Sequence, residues 1–200
     1  MRKQSKSAQI TRQELINAAR ELFAEKGYED TSIQDIIQKA EYSIGAFYGH
    51  FKSKQELANI IYGEEMSALQ EHCFKYAQGA KDLDDLVDAF MLCAHLNRQN
   101  KVIAALQGRI HLLESELGHE VLMKLSANST HFLSIIALKL HTFFPNAAEA
   151  VISNSAEAIQ SILSNYATPY AIRFYFVHQS EQDIRQLFYY LANMCADPLS

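Results

Sequence analysis

Tyr48, His50, Lys52 and Lys54 put four donors suited to phosphate oxygen within seven residues. Just before them, Ser43, Ile44, Gly45 and Ala46 form a small-sided stretch. A small face lets a helix approach base edges, and Ala46 could touch a thymine methyl. Ile44 mixes reading with packing, and Phe47 and Phe51 read as core. Ser32 and Gln34, one segment earlier, add a hydroxyl and an amide. The chemistry on offer is recognition of a polyanion, with phosphate contacts setting position and base contacts setting specificity. Lys54 leads the candidates. A cation in the first turn of a helix opposes the dipole, and contact with phosphate relieves that conflict.

Short helices must present these groups. Thr11 and Glu14 read as a capping box opening a first helix over about Gln13–Lys26, stopped by Gly27. Leu15, Ala19, Leu22 and Phe23 recur on its apolar stripe. Thr31 with Gln34, or Ser32 with Asp35, opens a second helix reaching about Ala40. Ser43 is a fresh N-cap for a third helix from Ile44 to Phe51. Only Glu41 and Tyr42 separate the two, so the turn is sharp. Helix, short turn, helix on a scaffold helix is the helix-turn-helix arrangement. Ser32 and Ser43 therefore have a capping role as well as a possible phosphate contact. Ser53 and Glu56 open a long fourth helix.

The remainder reads as helix throughout. Apolar positions recur at helical spacing from Leu86 to Ala94, Val102 to Leu113, His119 to Phe144, Val151 to Tyr166 and Ile184 to Leu191. Residues 170–177, YAIRFYFV, have strand propensity without a partner strand and read as a connector. The division expected is residues 1–55 for the helix-turn-helix with a basic arm and 56–200 for a helical body.

Charge follows that division. Through Gln55 there are nine Lys/Arg and seven Asp/Glu, a balance of +2, while from Glu56 onward nine face sixteen, a balance of −7. A basic front on an acidic body suits a nucleic-acid-binding module with a separate bulk domain. Arg2, Lys3, Lys6 and Arg12 concentrate the positive charge, as an arm for the minor groove or a solvated tail. Cys73, Cys93 and Cys195 are far apart and odd in number, which points to unpaired thiols in a reducing cytoplasm. No apolar run is long enough for a membrane span, and none follows the basic N-terminus as a secretory signal requires.

No GxSxG, P-loop, GxGxxG or paired Cys/His spacing is present, so an enzyme is not expected, and no cofactor. His111, Glu114 and Ser115 share a helix face with His119 nearby, but the scattered spacing lacks a metal signature, and no metal is expected. The aromatic residues of the body suit an apolar pocket. Phe90, His95, Arg109, His111, Phe132 and Phe174 are candidates for lining it.

Taken as a set, these residues resemble the TetR family of bacterial transcriptional regulators. The resemblance rests on Gly27, Thr31-Ser32, Ile36, Ala40, Ser43, Gly45, Tyr48, His50-Phe51 and Lys54, in order and at matching spacing. It covers about Thr11 to Ile61. It implies an all-α fold with a three-helix N-terminal helix-turn-helix domain and a C-terminal helical ligand-binding and dimerisation domain. It implies a homodimer on palindromic double-stranded DNA in the bacterial cytoplasm, at the nucleoid. It also implies a small-molecule effector whose binding releases the repressor from its operator. Tyr48 and His50 resemble the family's phosphate contacts. By position, Ala158, Ile162, Leu187 and Leu191 resemble residues of the dimer-forming helices. Two alternatives stay open: a DNA-binding protein of this type without a sensor role, and a ligand- or metal-binding module that has lost DNA binding. The departure that favours the latter is Glu41 where the family has a turn glycine, next to Tyr42 in place of valine.

Overall fold

The computed structural model describes residues 2–107, 116–167 and 180–196. The described residues form helices and turns, with no strand among them. In chain order the helices are α1 (Arg2–Lys26), α2 (Ile33–Ala40), α3 (Ile44–Tyr48), α4 (Lys54–Gly79) and α5 (Leu83–Gln99). They are followed by α6 (Lys101–Gln107), α7 (Glu116–Phe143), α8 (Glu149–Ala167) and α9 (Glu181–Asn193). Residues 170–177, read as a connector, lie outside the described residues, as do Arg109, His111 and Phe174.

Two compact units divide these helices by packing. The first holds residues 1–66 and 100–125, and the second holds 67–99 and 126–200. α4 and α7 each contribute residues to both.

The first unit is built on α1, which packs against α2, α3 and α6. Leu15, Ile16, Ala19 and Phe23 are sealed from solvent along one stripe of α1, as the 3.6-residue period requires. They meet Ile36 and Ile37 of α2, Phe47 of α3, and Leu57 and Ile61 of α4. Val102 and Leu106 of α6 complete the cluster. α1 begins at Arg2 and not near Gln13. Residues 2–12 contain neither Gly nor Pro, and Lys, Arg, Gln and Ala favour helix there. Thr11 is therefore interior to α1 and caps nothing, and Glu14 is bonded by Tyr42 instead. Gly27 does end the helix, at φ 84°, with its N–H bonded to the Phe23 carbonyl at 3.0 Å.

In the second unit α5, α8 and α9 pack on one another. Leu86, Phe90, Ile136, Leu140, Ile152, Ile159, Ile184 and Phe188 form the centre of its core. The Phe90 ring sits edge-on to Phe132 at 5.1 Å and lies 5.4 Å from Phe188. Ser180 and Asp183 form a reciprocal capping box on α9.

Cys73 of α4 and Cys93 of α5 form a disulfide, with Cα atoms 5.6 Å apart. This overturns the expectation of unpaired thiols. Spacing along the chain says nothing of two helices brought side by side, and that Cα separation is ordinary for a cystine. Cys195 is a buried thiol.

Candidate nucleic-acid interface

Ser32 starts α2 as its N-cap. Its hydroxyl accepts from the Asp35 N–H at 3.1 Å, and the Asp35 carboxylate accepts from the Ser32 N–H at 2.8 Å. Of the two caps open in the sequence, Ser32–Asp35 is the one used. Hydrogen bonds from the Ser32 hydroxyl and amide, and then Lys26 at 2.9 Å, hold the Asp35 carboxyl far below the usual carboxylate range.

The turn after α2 closes as a Schellman motif. The Glu41 N–H bonds the Gln38 carbonyl at 3.3 Å and the Tyr42 N–H bonds the Ile37 carbonyl at 2.9 Å. Glu41 takes the left-handed position at φ 59°, ψ 36°. It is the single non-glycine residue with positive φ among the described residues. The turn thus keeps the geometry that suits glycine, at a backbone cost of about 1–2 kcal/mol. Tyr42 donates its hydroxyl to the Glu14 carboxylate, tying the turn to α1.

Ser43 caps α3, its hydroxyl accepting from the Ala46 N–H at 3.2 Å. The helix ends at Tyr48, sooner than Phe51, with Gly49 as its C-cap. Phe47 and Phe51 are 0% and 2% exposed and their rings lie 5.6 Å apart, so both belong to the core. Ile44 and Tyr48 are 47% and 56% exposed. Phe47 therefore anchors α3 in the core and Phe51 anchors the turn that follows it, while Ile44 and Tyr48 of α3 meet solvent. Ser32, Gln34, Ser43 and Lys52 are exposed as well, and Ala46 and His50 are half-buried. The nine residues expected to contact DNA thus lie on consecutive segments of one unit, and none is fully buried.

Their charges are not equivalent. Lys54 Nζ donates to the carbonyls of Tyr28 at 2.8 Å and Thr31 at 2.7 Å, and lies 4.1 Å from the centroid of the Tyr28 ring. Its ammonium clamps the α1–α2 loop, which relieves the conflict with the α4 dipole without phosphate. Lys39 pairs with Glu21 at 3.0 Å and Glu25 at 3.4 Å. The hydrogen bond to Glu21 is the main cause raising its pKa. Lys26 is paired with Asp35 and Arg20 with Glu64 and Glu65. Sequence counts these cations as available charge, but the fold spends several of them on its own anions and carbonyls. Arg12, by contrast, lies over the Phe51 ring at 5.4 Å from its centroid. Nothing in the spacing of Arg12 and Phe51 signals that contact.

In the second unit, Phe90 is 1% exposed and is absorbed by the core, Phe132 is half-buried against it, and His95 is exposed on α5. Ala158, Ile162, Leu187 and Leu191 are all half-buried, on α8 and α9. No group of three or more His, Cys, Asp or Glu among the described residues is placed to hold a metal ion. No helix among them is long and apolar enough to cross a membrane.

Fold and site define an all-α protein with an N-terminal helix-turn-helix. Residues 15–60 match the model for bacterial regulatory proteins of the tetR family. The Transposon Tn10 TetC protein of Escherichia coli is 44% identical over 63 residues, covering 32% of each chain. The A-factor receptor protein of Streptomyces griseus is 32% identical over 105 residues, covering 52% of this chain and 36% of that one. The matched region thus spans about a third of the length of these relatives. Among solved structures, NalD, the secondary repressor of the MexAB-OprM multidrug efflux pump in Pseudomonas aeruginosa, superposes with a TM-score of 0.57. That match has 20% identity over 92% of this chain and 96% of the other. A TetR-family transcriptional regulator from Bordetella parapertussis gives a TM-score of 0.53 at 17% identity, covering 94% and 95%. At these identities the likeness speaks for the fold.

Proposed function

We propose that this chain is a homodimeric, ligand-responsive repressor that binds a palindromic operator in double-stranded DNA and leaves it when a small molecule binds. Residues 1–55 are the DNA-binding part and 56–200 the sensing and dimerising part. The observation that carries the reading is α3, fixed to the core by Phe47 and by Phe51 in the turn after it, while Ile44 and Tyr48 face solvent. A surface helix bearing exposed apolar and aromatic side chains, capped by Ser43, suits entry into the major groove. Tyr48, His50 and Lys52 flank it as phosphate contacts, with Ser32 and Gln34 at the start of α2. Lys54 supports them by holding the α1–α2 loop, and its own contact with phosphate is secondary.

Dimerisation places two such helices on successive faces of the duplex, about 34 Å apart. The supporting feature is α9 and its C-cap, where Leu187, Tyr190, Leu191 and Met194 recur at helical spacing and Tyr190 is 67% exposed. Ligand acts by population shift, binding better to the arrangement whose α3 helices no longer match the operator. The place of action is the bacterial cytoplasm, at the nucleoid.

Fluorescence anisotropy with duplexes from the region beside the protein's own gene tests the proposal. Salt-sensitive binding that prefers a palindrome is expected. Equal, salt-insensitive affinity for all duplexes would remove it.

A further inference from the structure

The geometry points to Arg12 as a phosphate-binding residue that works with Lys52 and His50 at the C-terminal end of α3. Sequence places Arg12 in a basic tail, more than thirty residues before that helix. Folding lays its guanidinium over Phe51, 5.4 Å from the ring centroid. Phe51 lies between His50 and Lys52 in the chain, and the His50 ring is itself 6.3 Å from the Phe51 ring. The Arg12 guanidinium and the His50 ring thus both lie beside one buried ring, with Lys52 the next residue along the chain.

Charge compensation separates Arg12 from its neighbours. Arg20, Lys26 and Lys39 are each ion-paired, and Lys54 is engaged by two carbonyls and a ring. Neither Arg12 nor Lys52 has a carboxylate at ion-pair distance from its side chain among the described residues. A guanidinium held over an aromatic ring uses its face for that contact and keeps its in-plane N–H donors. Those donors form a fork that matches two oxygens of a phosphate. Because Arg12 is half-buried and rests on a ring, less side-chain entropy is lost on binding than for an unsupported surface cation. The ligand is a backbone phosphate of duplex DNA, next to the groove that α3 enters. This inference rests on the DNA-binding reading above.

The test is the salt dependence of binding, measured by anisotropy on the operator and on a scrambled duplex. Arg12→Gln removes the charge, Arg12→Lys keeps it without the fork, and circular dichroism melting checks that each variant is folded. The Gln substitution removes one phosphate contact per protomer, two in the dimer, so the slope of log K against log salt is expected to fall by about two. Affinity at low salt should fall roughly tenfold, by the same factor for both duplexes. The Lys variant should recover the slope and only part of the affinity. If the Gln variant is unfolded, Arg12→Leu, which keeps an apolar cover on Phe51, is measured in its place. A neutral variant that is folded and binds with the wild-type slope and affinity would overturn the role of Arg12 and leave the DNA-binding reading standing. Wild-type protein without any salt-dependent binding to duplexes would remove both.

Discussion

Lys54 and Tyr28 are joined twice. The Lys54 ammonium donates to the Tyr28 carbonyl at 2.8 Å and lies 4.1 Å from the centroid of the Tyr28 ring. The first turn of α4 is thereby tied to the loop that leads into α2.

That tie makes Lys54 a residue of stability. Lys54→Met keeps the apolar stem and removes the donors to Tyr28 and Thr31. Urea unfolding should show a loss of about 1–2 kcal/mol, the range for partly exposed hydrogen bonds to a charged group. A variant as stable as wild type would show that the clamp is idle in solution. Charge reversal at Lys54 would confound lost DNA contact with a loosened loop, so Lys52 and Arg12 are the sites for that test.

Glu41 occupies a left-handed position that glycine enters without a Cβ penalty. The penalty of about 1–2 kcal/mol is partly offset by the greater freedom of glycine in the unfolded chain. Glu41→Gly is expected to stabilise the protein by about 0.5–1 kcal/mol, whereas Glu41→Ala keeps the Cβ and should change little. Thermal melts of the two variants side by side decide this, and equal melting temperatures would contradict the strain.

Cys73 and Cys93 are 20 residues apart in sequence and bonded in the fold. Alkylation of unfolded, unreduced protein should label Cys195 alone, and prior reduction should expose all three cysteines. A cross-link closing a loop of this size contributes about 3 kcal/mol in the chain-entropy account. Cys73→Ser should therefore lower the urea midpoint, and reductant should do the same to wild type but not to the variant.

Asp35 has its pKa depressed in the folded protein by the Ser32 hydroxyl and amide and by Lys26, below an ordinary value of 3.8. A depressed carboxyl contributes stability that is fully present above its unfolded pKa and is lost as pH falls toward the folded one. The stability difference between wild type and Asp35→Asn should be constant through neutral pH and shrink below about pH 4. A difference that stayed flat into acid would show that the charge on Asp35 is not what the cap uses.

Tyr190 is the test of the dimer, because its exposure lets it change without disturbing the core. Tyr190→Glu puts a charge on the apolar stripe of α9. Light scattering should report half the wild-type mass at micromolar concentration. The dimer constant should weaken roughly 30-fold or more, as for an interface hot spot. An unchanged mass would move the dimer contact away from α9.

Local signals proved legible where the physics is local. Ser32, Ser43, Ser53 and Ser180 all start helices, because a hydroxyl beside unpaired N–H groups needs only neighbouring residues to be useful. Phe47 and Phe51 could be assigned to the core from the helix period. The start of α1 was harder to read. Thr11 and Glu14 have the spacing of a cap, yet the preceding residues favour helix and nothing interrupts them.

The sequence by itself determined the helix-turn-helix, its caps, the anchoring phenylalanines and the all-helical character. Those depend on backbone groups and side chains within a turn or two of each other. Tertiary structure alone decided which cations were spent and which cysteines met. It turned Lys54 into a clamp on Tyr28 and Thr31, set Arg12 over Phe51, and joined Cys73 to Cys93. Each of these is a contact between segments far apart in the chain, and its energy depends on a distance that no pattern of neighbouring residues encodes.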